Sequence, residues 1–198
     1  MWKRIGIGVL SVMLGLTAAF TLGNYRKQKN LQEEVAGQVI RFHILANSDS
    51  CQDQKVKLTV RQAMIPVIEK LTGTVKTREE TRKILKENLA SLEEQAKAEV
   101  LAAGSTDQVH IQYDTAYFPV KTYGSYTFPE GNYEALQIKI GGARGHNWWC
   151  MLYPSLCFSD ALHPTLKKGQ EVLHRVLSDE AYLSLLEKGE VHLTFRWF

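Results

Sequence analysis

Apolar residues along this chain follow two different periods, and one stretch near its start has no period at all. Ile5 to Leu22 runs eighteen residues without a charge, directly after Lys3-Arg4. Residues 24–37 turn polar and charged, and read as a tether. From Val39 the pattern alternates: Ile40, Phe42 and Ile44 stand against Arg41, His43 and Leu45, which predicts a strand with one strongly apolar face. Asn47-Ser-Asp-Ser50 follows, a cluster of turn and N-cap residues. The period then lengthens. Val56, Val60, Met64, Val67, Ile68 and Leu71 fall on one side of a helix over about 52–71, in which Pro66 predicts a kink or a break. Thr77-Arg-Glu-Glu80 has the form of a capping box. It opens a second helix with Ile84, Leu85, Leu89, Leu92, Ala96 and Val100 as its stripe, ended by Gly104.

The second half returns to period two. Residues 109–118 and 133–140 alternate as strands, joined by a loop from Pro119 to Gly131 and followed by the turn Gly141-Gly-Ala-Arg-Gly145. A short helix near 178–188 and a last strand over 191–197 complete the pattern. This order predicts an α+β fold, a mainly antiparallel sheet with two long helices packed on one face. The domains are then a signal peptide or membrane anchor (1–23), the polar tether (24–37) and a single α+β domain (38–198).

Charge changes the picture only at the N-terminus. The positive start and the uncharged run fit a secretory signal peptide, with Thr21-Leu22-Gly23 as a cleavage site. The same run reaches the lower limit for a membrane span, and Arg26, Lys27 and Lys29 behind it leave a retained anchor open. The rest is composed like a globular domain, with 23% charged and 44% hydrophobic residues over the whole chain. The net charge of +3 falls to +1 once Lys3 and Arg4 leave with residues 1–23, which gives no argument for a nucleic-acid partner.

Candidate chemistry is sparse. In an oxidising compartment Cys150 and Cys157 bracket a six-residue loop that a disulfide can close, with Cys51 left over. Such a bond stabilises by about 2–3 kcal/mol on the chain-entropy account. Two buried free thiols are the alternative. His146, Cys150, Cys157 and His163 match no common zinc spacing, Asn47 to Asp53 lacks the EF-hand pattern, and the glycine turn opens no long helix for a phosphate. No cofactor or metal is expected. Asp114 and Glu134 read as strand-surface residues. No nucleophile–base signature surrounds any cysteine, so the pattern favours a binding or signalling protein. A secreted cysteine- or histidine-dependent hydrolase acting on cell-wall or peptide substrates is the alternative.

Three stretches carry a resemblance. They are Val39 to Ser50, Tyr117 to Gly124 leading to Pro129–Leu136, and Gly145-His-Asn-Trp-Trp-Cys-Met-Leu-Tyr-Pro-Ser-Leu-Cys-Phe158. In this order, after a signal-like start, the chain resembles the stage II sporulation protein R family of endospore formers over roughly residues 38–160. The resemblance implies a protein exported from the forespore into the space between two membranes. There it activates a membrane-embedded aspartic protease that processes a sporulation sigma factor precursor, by contact with that protease's ectodomain. The partner-contact candidates are chosen on physical grounds: Arg41 and His43 on one face of the first strand, Asn47, Ser48 and Asp49 at the helix cap, and Trp148 and Trp149 as interface anchors. Neighbouring tryptophans on a strand face opposite ways, so one of them belongs to the core.

Overall fold

A computed structural model describes residues 2–123, 125–154 and 165–186, without the side chains of residues 2–11 and 165–168. Its core is a four-stranded sheet of β1 (Ile40–Leu45), β2 (Val109–Phe118), β5 (Gly131–Ile140) and β6 (Asn147–Tyr153). The order is β2-β5-β1-β6, with β1 and β5 parallel and the two outer pairings antiparallel. The fold is α+β, as the pattern predicts.

One face of the sheet is covered by α2 (Cys51–Thr72), α3 (Arg78–Glu87) and α4 (Leu89–Ala102). Ile40, Phe42 and Ile44 of β1 meet Val56, Val60 and Met64 of α2 and Leu92, Ala96 and Val100 of α4 there. Ser50 caps α2 by accepting from the Asp53 amide, and Thr77 caps α3 by accepting from Glu80. Pro66 does not break α2. It lies on the exposed side, where the carbonyl one turn earlier, left without its helical donor, is on the solvent-facing side of the helix.

The single second helix expected over 77–103 is two helices. Asn88 separates them, its side-chain amide donating to the Ile84 carbonyl at 2.8 Å. That local bond competes with the helical ladder.

The other face is covered as well, which corrects the expectation of helices on one side only. α1 (Trp2–Gln38), α5 (Thr165–Val176), α6 (Asp179–Leu186) and a two-stranded hairpin of β3 (Lys121–Tyr123) and β4 (Tyr126–Phe128) lie there. The hairpin falls inside the stretch read as a loop, and α5 has no counterpart in the expected elements. The segment 24–37, expected as a tether, is helical, and its end docks: Val35 and, just after it, Val39 are fully buried. Glu34 accepts from the Ser178 amide and hydroxyl, and Lys27 pairs with Glu180. The polar pattern hid this because only a few residues of that segment face the domain. The strand expected over 191–197 lies outside the described residues.

Candidate functional site

The stretches singled out in the sequence meet at two places, the first and third at one and all three at the other. The first is a polar bracket at one end of β1 and β5. Asn47, Ser48 and Asp49 leave β1 and meet the turn that leads from β5 to β6. Asn47 accepts from the Gly142 amide at 2.7 Å and donates to Asp53 at 3.2 Å. Ser48 donates to Asp53, and Asp49 accepts from both the amide and the Nδ1 of His146. These two bonds, the backbone one first, hold the Asp49 carboxyl below its ordinary range. Lys57 is buried against the bracket and donates to the His146 carbonyl and to Gln54.

Gly145 is required by closeness. A Cβ there would lie 2.1 Å from the Ser48 carbonyl oxygen. Gly141 has φ +54, with Asn47 packed against it. The turn amides are engaged in sequence by Gln108, Asn47, Ile140, Asn47, Ala46 and Asp49. The glycine-rich turn therefore offers no free amide cradle to a phosphate. Its composition serves the approach of two loops.

The second place is on the far face of the sheet, beneath the hairpin. Arg41, fully buried, has its guanidinium carbon 4.7 Å from the centre of the Phe118 ring, 5.0 Å from Tyr133, 5.4 Å from Phe128 and 5.5 Å from Tyr123. Such cation–ring contacts give about 0.5–2 kcal/mol each depending on desolvation. Burial pulls the guanidinium below its usual range, against the opposing influence of Tyr123 and Tyr133. Burial also pushes the Tyr133 hydroxyl up to about 12. His43 is 4% exposed and sits between Phe118 and Trp149, 5.0 Å from each. Burial lowers it to about 4; Gln137 offsets this in part, though neither ring nitrogen makes a hydrogen bond of good geometry.

The two tryptophans divide as the strand geometry requires. Trp148 packs edge-on to Phe42, 5.5 Å away, with Arg61 over its ring. Trp149 packs with His43 and Phe118 on the other face, under Lys121. Both are half-buried. Arg41 and His43, chosen as surface contacts, are instead interior. Cys150 is buried on β6, and Cys157 lies outside the described residues. Cys51 is an exposed free thiol at the start of α2.

A third cluster escaped the sequence reading. Glu134, read as a strand-surface residue, accepts from Tyr113 at 2.8 Å and pairs with Arg82 at 2.9 Å and Arg78 at 3.1 Å. Burial raises its carboxyl, but the bonds from Tyr113 and Arg82 outweigh that and leave it lowered. The pairing ties α3 to β5 and is structural. Arg78 and Arg82 at helical spacing were its only signal. Among the described residues no group of three His, Cys, Asp or Glu side chains is placed to hold a metal, and no helix is long and apolar enough to cross a membrane.

The family model described as stage II sporulation protein R matches residues 36–163. Stage II sporulation protein R of Bacillus subtilis (strain 168) is 36% identical over 146 residues, which cover 74% of this chain and 65% of that protein. The match thus spans a little under two-thirds of that relative's length. No solved structure matches the chain. The matched region contains the bracket, the buried arginine and all four of its aromatic neighbours.

Proposed function

The chain belongs to the stage II sporulation protein R family, and from that premise we propose that it is an exported sporulation signal and not itself a protease. In this reading it leaves the forespore and binds the ectodomain of a membrane-embedded protease. Binding triggers processing of a sporulation sigma factor precursor. The observation that carries the reading is family membership over the region where the three motif stretches converge.

Two features support it. Val12, Met13, Leu14, Leu16, Phe20 and Leu22 are all more than half exposed on α1, with none of the described residues covering them. An exposed apolar run of this kind suits a segment that docks on a membrane surface or on export machinery. The motif residues of the bracket and the aromatic cage are engaged in packing and hydrogen bonds, an arrangement that shapes a binding surface. A Cys150–Cys157 bond belongs to the same proposal, since it forms in an oxidising space.

The test is to express the chain from Asn24 onward, outside the membrane, with the protease and its precursor substrate. Processing is expected only when this domain is present, and is expected to survive Cys51→Ser. Loss of processing in a folded Cys51→Ser variant would favour the hydrolase reading instead. Mass measurement of the exported protein, with and without reduction, reports cleavage near Gly23 and the disulfide together.

A further inference from the structure

The far face of the sheet holds more hydrogen-bond donors than its surroundings satisfy. Arg41 Nε and Nη1 have no partner, and Nη2 reaches only the Tyr123 hydroxyl, at 3.4 Å. No carboxylate among the described residues pairs with this arginine. Glu134, on the neighbouring strand, serves Arg78 and Arg82 on the opposite face. His43, two residues along β1, has Gln137 beside it but no hydrogen bond of good geometry at either ring nitrogen. Gln32, on α1, turns its Nε2 toward the Tyr133 hydroxyl without a hydrogen bond of good geometry, and Tyr133 is one of the rings around Arg41. Lys121 adds a second positive charge beside Trp149, 5.6 Å from its ring centre. Buried polar groups are nearly always hydrogen-bonded, and buried cations are nearly always paired with an acid. Arg41 has no acid and leaves two donors without a partner, and what this site lacks is an anionic acceptor.

The cover over the cluster is separable. Tyr123 and Phe128, two of the four rings around Arg41, sit on the β3–β4 hairpin, which pairs with itself and not with the main sheet. Among the described residues its side-chain hydrogen bonds to the body are Arg41 to Tyr123 and Tyr126 with Tyr182. A two-stranded hairpin is marginally stable alone, so it can lift without breaking any ladder of the sheet.

We propose that Arg41 is the centre of a carboxylate-binding site, opened by the hairpin, into which an acidic side chain of a protein partner inserts. His43 and Lys121 flank it, and the rings line the methylene stem of an aspartate or glutamate. A phosphate is the poorer occupant, because these apolar walls would strip a larger hydration shell from it. The site's chemistry stands on its own. The identity of the occupant as a partner's acid rests on the signalling reading.

The experiment uses the full chain and follows the Arg41 Nε–H signal by NMR. Acetate is the probe, acetamide its neutral isostere and inorganic phosphate the competing anion. Acetate is expected to give a saturable shift, phosphate one at least about tenfold weaker, and acetamide none, because only the carboxylate supplies a charge-assisted acceptor of this shape. No saturable acetate shift, or a phosphate response as strong as that of acetate, overturns the proposal.

Arg41→Met keeps an unbranched side chain in the cage and removes the uncompensated charge, so its melting temperature is expected to hold or rise. Trp149 fluorescence, responsive to acetate in the parent, is expected to lose that response in Arg41→Met. An equal response overturns the site. Arg41→Lys provides a second variant that keeps the charge without the planar fork, and its acetate affinity is expected to fall by about fivefold or more. In the processing assay Arg41→Met is expected to lose at least about tenfold of its activity if the acid comes from the partner. Acetate binding with undiminished processing overturns the assignment of the occupant. A parent chain that drives no processing at all overturns the signalling reading instead, and leaves the acetate result standing.

Discussion

Gly145 and His43 show two ways in which a single position is constrained. At Gly145 the constraint is steric. A methyl group would meet the Ser48 carbonyl at 2.1 Å, and the backbone oxygen cannot turn away as a side chain can. Gly145→Ala should lower stability by about 1–3 kcal/mol, in the range of overpacked interiors, read as the shift of a urea midpoint at constant slope. At His43 the constraint is electrostatic. Its folded value of about 4 lies below the ordinary value of 6.5, so between these limits the unfolded chain binds more protons. The sign follows: the contribution is complete above about pH 6.5 and lost as pH falls toward 4, amounting to on the order of 3 kcal/mol at most. His43→Gln, neutral and able to fill much of the ring's space, should flatten that part of the stability–pH curve. An unchanged slope between pH 6.5 and 4 would place the titrating group elsewhere. Neither role could be read from the sequence. A strand pattern shows that Arg41 and His43 share a face, but not that a hairpin and three helices cover it.

Elements were legible where their apolar stripes were regular. β1, α2, β2 and β5 came out close to their positions because each carries a clean period of two or of 3.6. The hairpin was missed because three-residue strands are too short to show a period. α1 was misread over residues 24–37 because a helix that touches the domain with only a few side chains looks polar throughout. The structure makes that end part of the fold. A chain starting at Asn24 keeps Val35 and Val39 in the core, whereas one starting at Ile40 loses both. Full burial of a valine gives about 1.5–3 kcal/mol, so the shorter chain should lose several kcal/mol and the longer one almost nothing. Thermal unfolding of the two truncations decides it; equal melting temperatures would show that α1 does not dock. Cleavage after Gly23 is compatible with the fold, and cleavage much beyond Leu31 is not.

At the scale of the whole molecule the sheet separates two cores, and whether they act as one is a question about β1 and β5. These central strands contribute Phe42, Ile44, Leu136 and Ile138 to one core and Tyr133 and Ala135 to the other, while Arg41 sits among the aromatic residues of the second. Neither core can lose its packing as a whole without exposing the back of a strand that the other needs, although the hairpin, which pairs only with itself, can lift locally. Unfolding should therefore be a single two-state transition, as in most domains of this size. Leu85→Ala removes volume from the helical side and Phe128→Ala from the hairpin side, and both residues are fully buried. Each should cost about 2–5 kcal/mol. The decisive reading is where that loss appears. With one cooperative unit, far-ultraviolet circular dichroism and tryptophan fluorescence shift together in both variants, although Trp148 belongs to one core and Trp149 to the other. If Phe128→Ala instead detaches a fluorescence transition from an unchanged helical one, the hairpin face is a separate, weaker unit. The same sheet would then hold a stable helical platform and a face that opens on its own.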